Sequence, residues 1–217
     1  MRKFLMLFFA FTIALSFGIT NTLAANQNEN MDKMKAEAMA KWQQYATPGE
    51  GHKVMEQLVG NWDYSLKYWT SPDAPPEQST GTNDIKWILG NRFLEMDVKG
   101  TSMGQPFQGM GIIGYDNAKK EYVNTWIDTM GTGMMNATGS YNAETKTMTE
   151  KGTFTDPMTG EQSFKGVTKF IDDNRFNYEM YISNPDGTEF RNMEINYTKK
   201  KQPYLKQLFD SLSNLFN

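Results

Sequence analysis

The sequence has no cysteine and a single histidine, His52. The first absence excludes disulfides, thiol catalysis, cysteine-ligated zinc and iron–sulfur clusters. The second makes any Ser–His–Asp triad depend wholly on His52, and the sequence carries no Gly-x-Ser-x-Gly elbow. Basic residues are not in excess either. Lys and Arg number 22 against 25 Asp and Glu, a net charge of −3, with no basic patch to suggest nucleic acid. The longest apolar run, from Phe4 through Ile19, is broken by Thr12, Ser16 and Gly18. It falls short of the roughly 20 apolar residues that a spanning helix needs.

That run has the form of an export signal. Arg2 and Lys3 supply a positive start, the apolar core follows, and small residues gather at Thr22, Ala24 and Ala25. Cleavage after Ala24 or Ala25 is the expectation, with the mature chain periplasmic or secreted. Loss of Arg2 and Lys3 leaves 20 basic residues against 25 acidic ones, and so a net charge of −5. The lipid-anchored export route needs a cysteine at the new N-terminus and is closed. An exported chain without cysteine fits a bacterial periplasm better than a disulfide-rich extracellular module.

Four segments follow from the patterning: a signal peptide at 1–25, a helix and linker at 26–51, a β-barrel at 52–199, and an amphipathic helix at 200–217. From Glu29 to Tyr45, the residues Met31, Met34, Ala38, Trp42 and Tyr45 recur at helical spacings of three and four. Pro48, Gly49 and Gly51 end the pattern, and a short helical turn from His52 to Val59 leads to Gly60-Asn61-Trp62. At the other end, Leu205, Leu208, Phe209, Leu212, Leu215 and Phe216 repeat at helical spacing after Pro203. Packing on the barrel wall is the favoured reading of this C-terminal helix. Membrane-surface contact is the alternative, against which its polar face carries only Lys206 and Asp210.

Between the helices the rhythm is that of hairpins. Turn-forming clusters stand at Ser71-Pro72-Asp73, Gly90-Asn91, Ser102-Met103-Gly104, Asp116-Asn117, Gly131-Thr132-Gly133, Asn142-Ala143, Asp156-Pro157, Asp172-Asp173-Asn174 and Asn184-Pro185-Asp186-Gly187. Nine turns separate ten strands, with no helix long enough for a parallel crossover, so neighbours should pair antiparallel. Trp62, Tyr64, Leu66 and Tyr68 alternate with polar residues. So do Ile85, Trp87 and Leu89, then Leu94, Met96 and Val98, and finally Phe176, Tyr178, Met180 and Ile182. One apolar face and one wet face over ten strands predicts an all-β, up-and-down antiparallel meander that hides its edges by closing into a lipocalin-like barrel. Periodicity alone leaves a two-sheet sandwich open.

Gly60-Asn61-Trp62 resembles the Gly-x-Trp start of the lipocalin superfamily. A longer pattern comprises His52 through Trp62, Gly90-Asn91-Arg92-Phe93-Leu94, Phe107-x-Gly109, Gly114-Tyr115-Asp116-Asn117, Trp126-x-Asp128 and Met193-Glu194. In order and spacing it resembles domain-of-unknown-function family 1579, an uncharacterised bacterial group. The resemblance spans His52 to Lys199 and implies a lipocalin-like barrel without implying a reaction or ligand.

Several motifs invite sharper readings. Gly109-Met110-Gly111-Ile112-Ile113-Gly114 spells GxGxxG, but it leads into a hairpin and not a helix, so the mechanism of dinucleotide binding lacks its context. Glycines that ease bending of a barrel strand account for it better. His52 before the first strand is better read as packing at the barrel rim than as a haem ligand. Asn124, Trp126 and Asp128 share one face of the fifth strand and could form a polar spot in an apolar cavity. The alternative pairs Asp128 with Arg92 or Arg191 to close one barrel end. Of the 16 methionines, Met96, Met110, Met134, Met135, Met148, Met180 and Met193 fall in predicted strands, where they suit an adaptable cavity or an ordinary core equally. Met31 and Met34 form the only Met-x-x-Met spacing considered for copper(I), and helix packing explains them.

The candidate cavity residues are thus Trp62, Tyr64, Trp87, Asn124, Trp126, Asp128 and Tyr178, with His52, Arg92 and Arg191 at the rim. No metal site, cofactor or catalytic set is expected. The leading reading is a binding or carrier barrel for a small apolar or amphipathic molecule. A cavity enzyme of lyase or isomerase type and a ligand-free structural envelope protein are the alternatives.

Overall fold

The computed structural model describes residues 27–183 and 187–201. The expected signal peptide and C-terminal helix lie outside the described residues. Residues 27–46 form helix α1, in which the rings of Trp42 and Tyr45 meet edge-on at 5.9 Å. Among the described residues no helix is long and apolar enough to cross a membrane.

The second unit begins at Pro48. Helix α2 (Glu50–Met55) continues into a 3-10 turn, Glu56–Leu58. Ten strands follow: β1 (Gly60–Tyr68), β2 (Glu77–Ile88), β3 (Phe93–Ser102), β4 (Gln105–Asp116), β5 (Glu121–Asp128), β6 (Met135–Asn142), β7 (Thr147–Asp156), β8 (Gly160–Asp172), β9 (Arg175–Ser183) and β10 (Glu189–Lys199). Each pairs antiparallel with its sequence neighbours, and β1 pairs with β10, so the sheet is a closed barrel. Closure leaves no edge strand to protect, and the sandwich alternative is ruled out.

Eight of the nine predicted turns separate the strands as expected, and the ninth, at Asn184-Pro185-Asp186-Gly187, lies largely outside the described residues. Several use one device: a strand-ending Asp or Asn bends its side-chain oxygen onto the next turn. Asp116 Oδ1 accepts from the N–H groups of Ala118 and Lys119, Asn142 Oδ1 from Glu144 and Thr145, and Asp156 Oδ1 from Met158 and Thr159. These Asx turns explain why Asp and Asn mark the strand ends. The β3–β4 hairpin instead places Met103 (φ 50°) and Gly104 (φ 73°) in left-handed conformations, as a tight two-residue turn requires.

One end of the barrel is sealed. Met55, Leu58 and Trp62 are 0, 4 and 1% exposed, and the Trp62 indole N–H donates to the Leu58 carbonyl at 2.8 Å. The Trp62 ring meets Phe176 edge-on at 4.7 Å. Tyr122 donates from its hydroxyl to the Gly51 carbonyl, which ties α2 to the wall. At this end the predicted apolar series overshoots by one residue. Leu89 sits beyond β2 in a turn with φ 50° and is exposed.

Candidate functional site

Inside the barrel lies a cavity of about 470 Å³. It runs from Leu58 at the sealed end to Met103 and Met130, which belong to turns at the opposite end and are 68 and 53% exposed. The mouth is therefore at the β3–β4 and β5–β6 turns. The lining is dominated by apolar and aromatic side chains with a few polar groups among them, the usual composition of a small-molecule site.

Strand β5 supplies one polar spot. Asn124, Trp126 and Asp128 all line the cavity, as their shared parity requires. The Trp126 indole N–H donates to Asp128 Oδ2 at 2.8 Å, and Asp128 Oδ1 accepts from the Met130 N–H at 2.8 Å. Neither arginine considered as a partner reaches Asp128. Arg92 donates to the carbonyls of Leu89 and Gly90 beside the sealed end. Arg191 pairs with Glu179 at 2.6 Å and Glu194 at 3.0 Å, side chains of outward parity on β9 and β10. Those ion pairs brace the wall, and Asp128 is held by a ring N–H and a backbone N–H.

The glycines of the GxGxxG run lie within β4. Gly109 and Gly111 have inward parity, and Trp126 lies against them. A Cβ at Gly109 would come within 2.3 Å of the Trp126 ring, and one at Gly111 within 3.2 Å of both Trp126 and Met96. The run thus makes room for an indole and cradles no phosphate. Gly111→Ala is expected to leave the barrel folded at a cost of about 1–3 kcal/mol, because Trp126 and Met96 must each shift by a few tenths of an ångström. Its emission spectrum should nevertheless move, and the shift should vanish in a Trp126→Phe background. An unchanged spectrum would show that the ring does not rest on Gly111.

A second polar spot lies across β6, at Glu150 on β7. Met148, Glu150, Gly152 and Phe154 share inward parity, and Glu150 lines the cavity. Its carboxylate accepts from Asn124 Nδ2 at 3.1 Å and from the Tyr178 hydroxyl at 3.2 Å. On the flanking strands its cross-strand partners are Gly139 and Gly166. A Cβ on Gly166 would lie 2.7 Å from both Glu150 Oε1 and the Tyr178 oxygen. Glycine is therefore what lets these groups meet. The residual exposure of Glu150 is to the cavity, so burial pushes its carboxyl above the usual range despite the two hydrogen bonds. Burial first, then the neighbouring carboxylate, push the Tyr178 hydroxyl well up. Burial also raises Tyr122, to about 12.

Sequence parity missed Glu150 and Gly166. The available signal was a carboxylate at the inward position of a strand framed by Met148 and Phe154. Tyr64 and Tyr178 do line the cavity, whereas Trp62 and Trp87 do not. Their faces point inward, but they sit at the sealed end. There Trp62 is part of the floor, and Trp87 donates its indole N–H to the Glu56 carboxylate at 2.6 Å. His52 is buried in α2, accepts at Nδ1 from the Gly49 N–H, and meets Tyr115 edge-on. Burial and then nearby Arg92 hold its imidazole below the usual range. Of the strand methionines, Met96, Met135, Met148, Met180 and Met193 line the cavity. Met110 faces outward, and Met134 lies in the β5–β6 turn, exposed. Among the described residues, no three His, Asp or Glu side chains converge to hold a metal ion.

The class is thus an all-β protein, a closed ten-stranded antiparallel barrel around an apolar cavity. Residues 47–199 match the family described as "Protein of unknown function (DUF1579)", and the chain belongs to that family. No curated protein matches it. Among solved structures, Rv2717c from M. tuberculosis is similar with a TM-score of 0.54 and 11% identity, over 71% of this chain and 100% of that one. The S-type phycobiliprotein lyase CPES from Guillardia theta is similar with a TM-score of 0.52 and 11% identity, over 70% of this chain and 93% of that one. At this identity the likeness is one of fold.

Proposed function

We propose that this protein is an exported binding or carrier barrel that holds one small apolar or amphipathic molecule. The observation that carries the reading is the 470 Å³ cavity, open at one end and lined mainly by aromatic, aliphatic and methionine side chains. A cavity of that size suits a drug-sized ligand, and flexible thioethers suit varied apolar shapes. A ligand-free structural role would call for a filled barrel. The charged start, apolar core and small-residue exit of residues 1–25 support export.

The test uses N-phenyl-1-naphthylamine, a neutral apolar dye whose emission rises on leaving water. It should bind saturably at one molecule per chain. Ala137→Phe, which adds a ring at a cavity-lining position, should abolish that binding while the protein stays folded. Native mass spectrometry of protein purified from its own source should show a co-purifying mass. Neither saturable dye binding nor a bound mass would reject the carrier reading.

A further inference from the structure

The cavity takes only one sign of charge. Among the described residues no Lys, Arg or His lines the cavity, whereas Glu77, Asp128 and Glu150 do. Asp128 already accepts two N–H groups. Glu150 is held only by two neutral donors, Asn124 Nδ2 and the Tyr178 hydroxyl. Among the described residues it has no cationic partner. A carboxylate in apolar surroundings without a cation is costly to keep charged.

The leftover hydrogen-bonding capacity points the same way. Asn124 Oδ1 and Asn192 Oδ1 are buried without a partner, and both residues line the cavity. The orientation of Asn124 follows from its partner, since only its amide nitrogen can face a carboxylate. Both orphans are acceptors, so what they lack is a donor. The cavity is also lined by the rings of Tyr64, Trp126, Tyr178 and Tyr197, a residue class whose faces attract cations.

We infer that the ligand is a cationic amphiphile: an apolar body carrying a protonated amine, with the amine seated against Glu150 and in reach of the orphaned Asn124 oxygen. An ammonium brings several donors and no acceptor, which complements the Glu150 carboxylate and both orphaned amide oxygens. A fatty acid brings the opposite. This inference rests on the carrier reading and adds the charge of the cargo to it.

Decylamine, decanol and decanoate share one chain and differ in the head group, so calorimetric titration of all three at pH 8 separates the two ideas. In the wild-type protein the amine should bind at least about tenfold more tightly than the alcohol, a difference one desolvated ion pair supplies. Decanoate should bind weakest. Glu150→Gln keeps the side-chain size, and its new amide N–H can be accepted by a reoriented Asn124. It should bring the amine to about the affinity of the alcohol, while a single cooperative thermal melt shows that the variant is folded. Equal binding of amine and alcohol, tightest binding of decanoate, or an amine preference that survives in Glu150→Gln overturns the inference and leaves the carrier reading standing. Binding of none of the three overturns the inference, and the carrier reading falls with it if the dye and the co-purifying mass are also absent.

Discussion

Trp62→Ala is expected to destabilise the barrel by about 3–5 kcal/mol, the range for removing a large buried aromatic side chain. The residue is 1% exposed, packs on Phe176, and lies beneath the ammonium of Lys199 at 5.2 Å from its ring centre. It also satisfies the carbonyl of Leu58, the last residue of the 3-10 turn. Trp62→Phe keeps most of the ring but strands that carbonyl. It should cost about 1–3 kcal/mol, the penalty of one buried group left unpaired. Urea denaturation of both variants measures the two contributions. A loss below about 1 kcal/mol for Trp62→Ala would mean that the floor repacks readily, contrary to its close packing.

The second large effect runs in the stabilising direction. Glu150→Gln is expected to be more stable than wild type at pH 8, by about 1–3 kcal/mol, because it removes the cost of holding a charge in the barrel. The sign follows from proton linkage. The folded-state pKa of Glu150 lies above its ordinary value of 4.5. Above pH 4.5 the unfolded chain gives up this proton before the native state does, so this group costs stability as pH rises through its raised pKa. Below pH 4.5 both states are protonated and the advantage of the variant should shrink. The carboxyls of Asp156, Asp172 and Glu179 are shifted downward and work in the opposite sense. They are common to both proteins and cancel in the difference. Thermal melts from pH 4 to 8 provide the check. A difference that is flat with pH, or that favours the wild type at pH 8, would show that the carboxylate is not burdened by burial.

What the sequence made legible depended on the range of the signal. Turn chemistry is local, and Asp116, Asn142 and Asp156 mark their turns because the side chain of each folds back onto the next two or three residues. Strand parity is also local, which is why Asn124, Trp126 and Asp128 could be placed on one face. Parity, however, gives the face and not the height within the barrel. Trp62 and Trp87 point inward like Tyr64, but the floor formed by Leu58 and Trp62 lies beneath the cavity. The partners of Asp128 depended on height too, and both arginines considered for it lie elsewhere. Glu150 escaped notice because β7 alternates Thr, Glu and Lys with only Met148 and Phe154 to declare its inner face. Its meeting with Asn124 and Tyr178 needed the register of β5 through β9, which no local window contains.

The pairing of β1 with β10 has a kinetic consequence. Every other pair in the barrel joins strands adjacent in the chain, each of which can zip from its own turn with little loop to close. The seam cannot. Trp62 finds Lys199, and Tyr64 finds Tyr197, only when nearly the whole domain is brought into a ring. The entropy of that closure falls on a single step, so a linear row of hairpins becomes a cooperative unit only when its two ends meet.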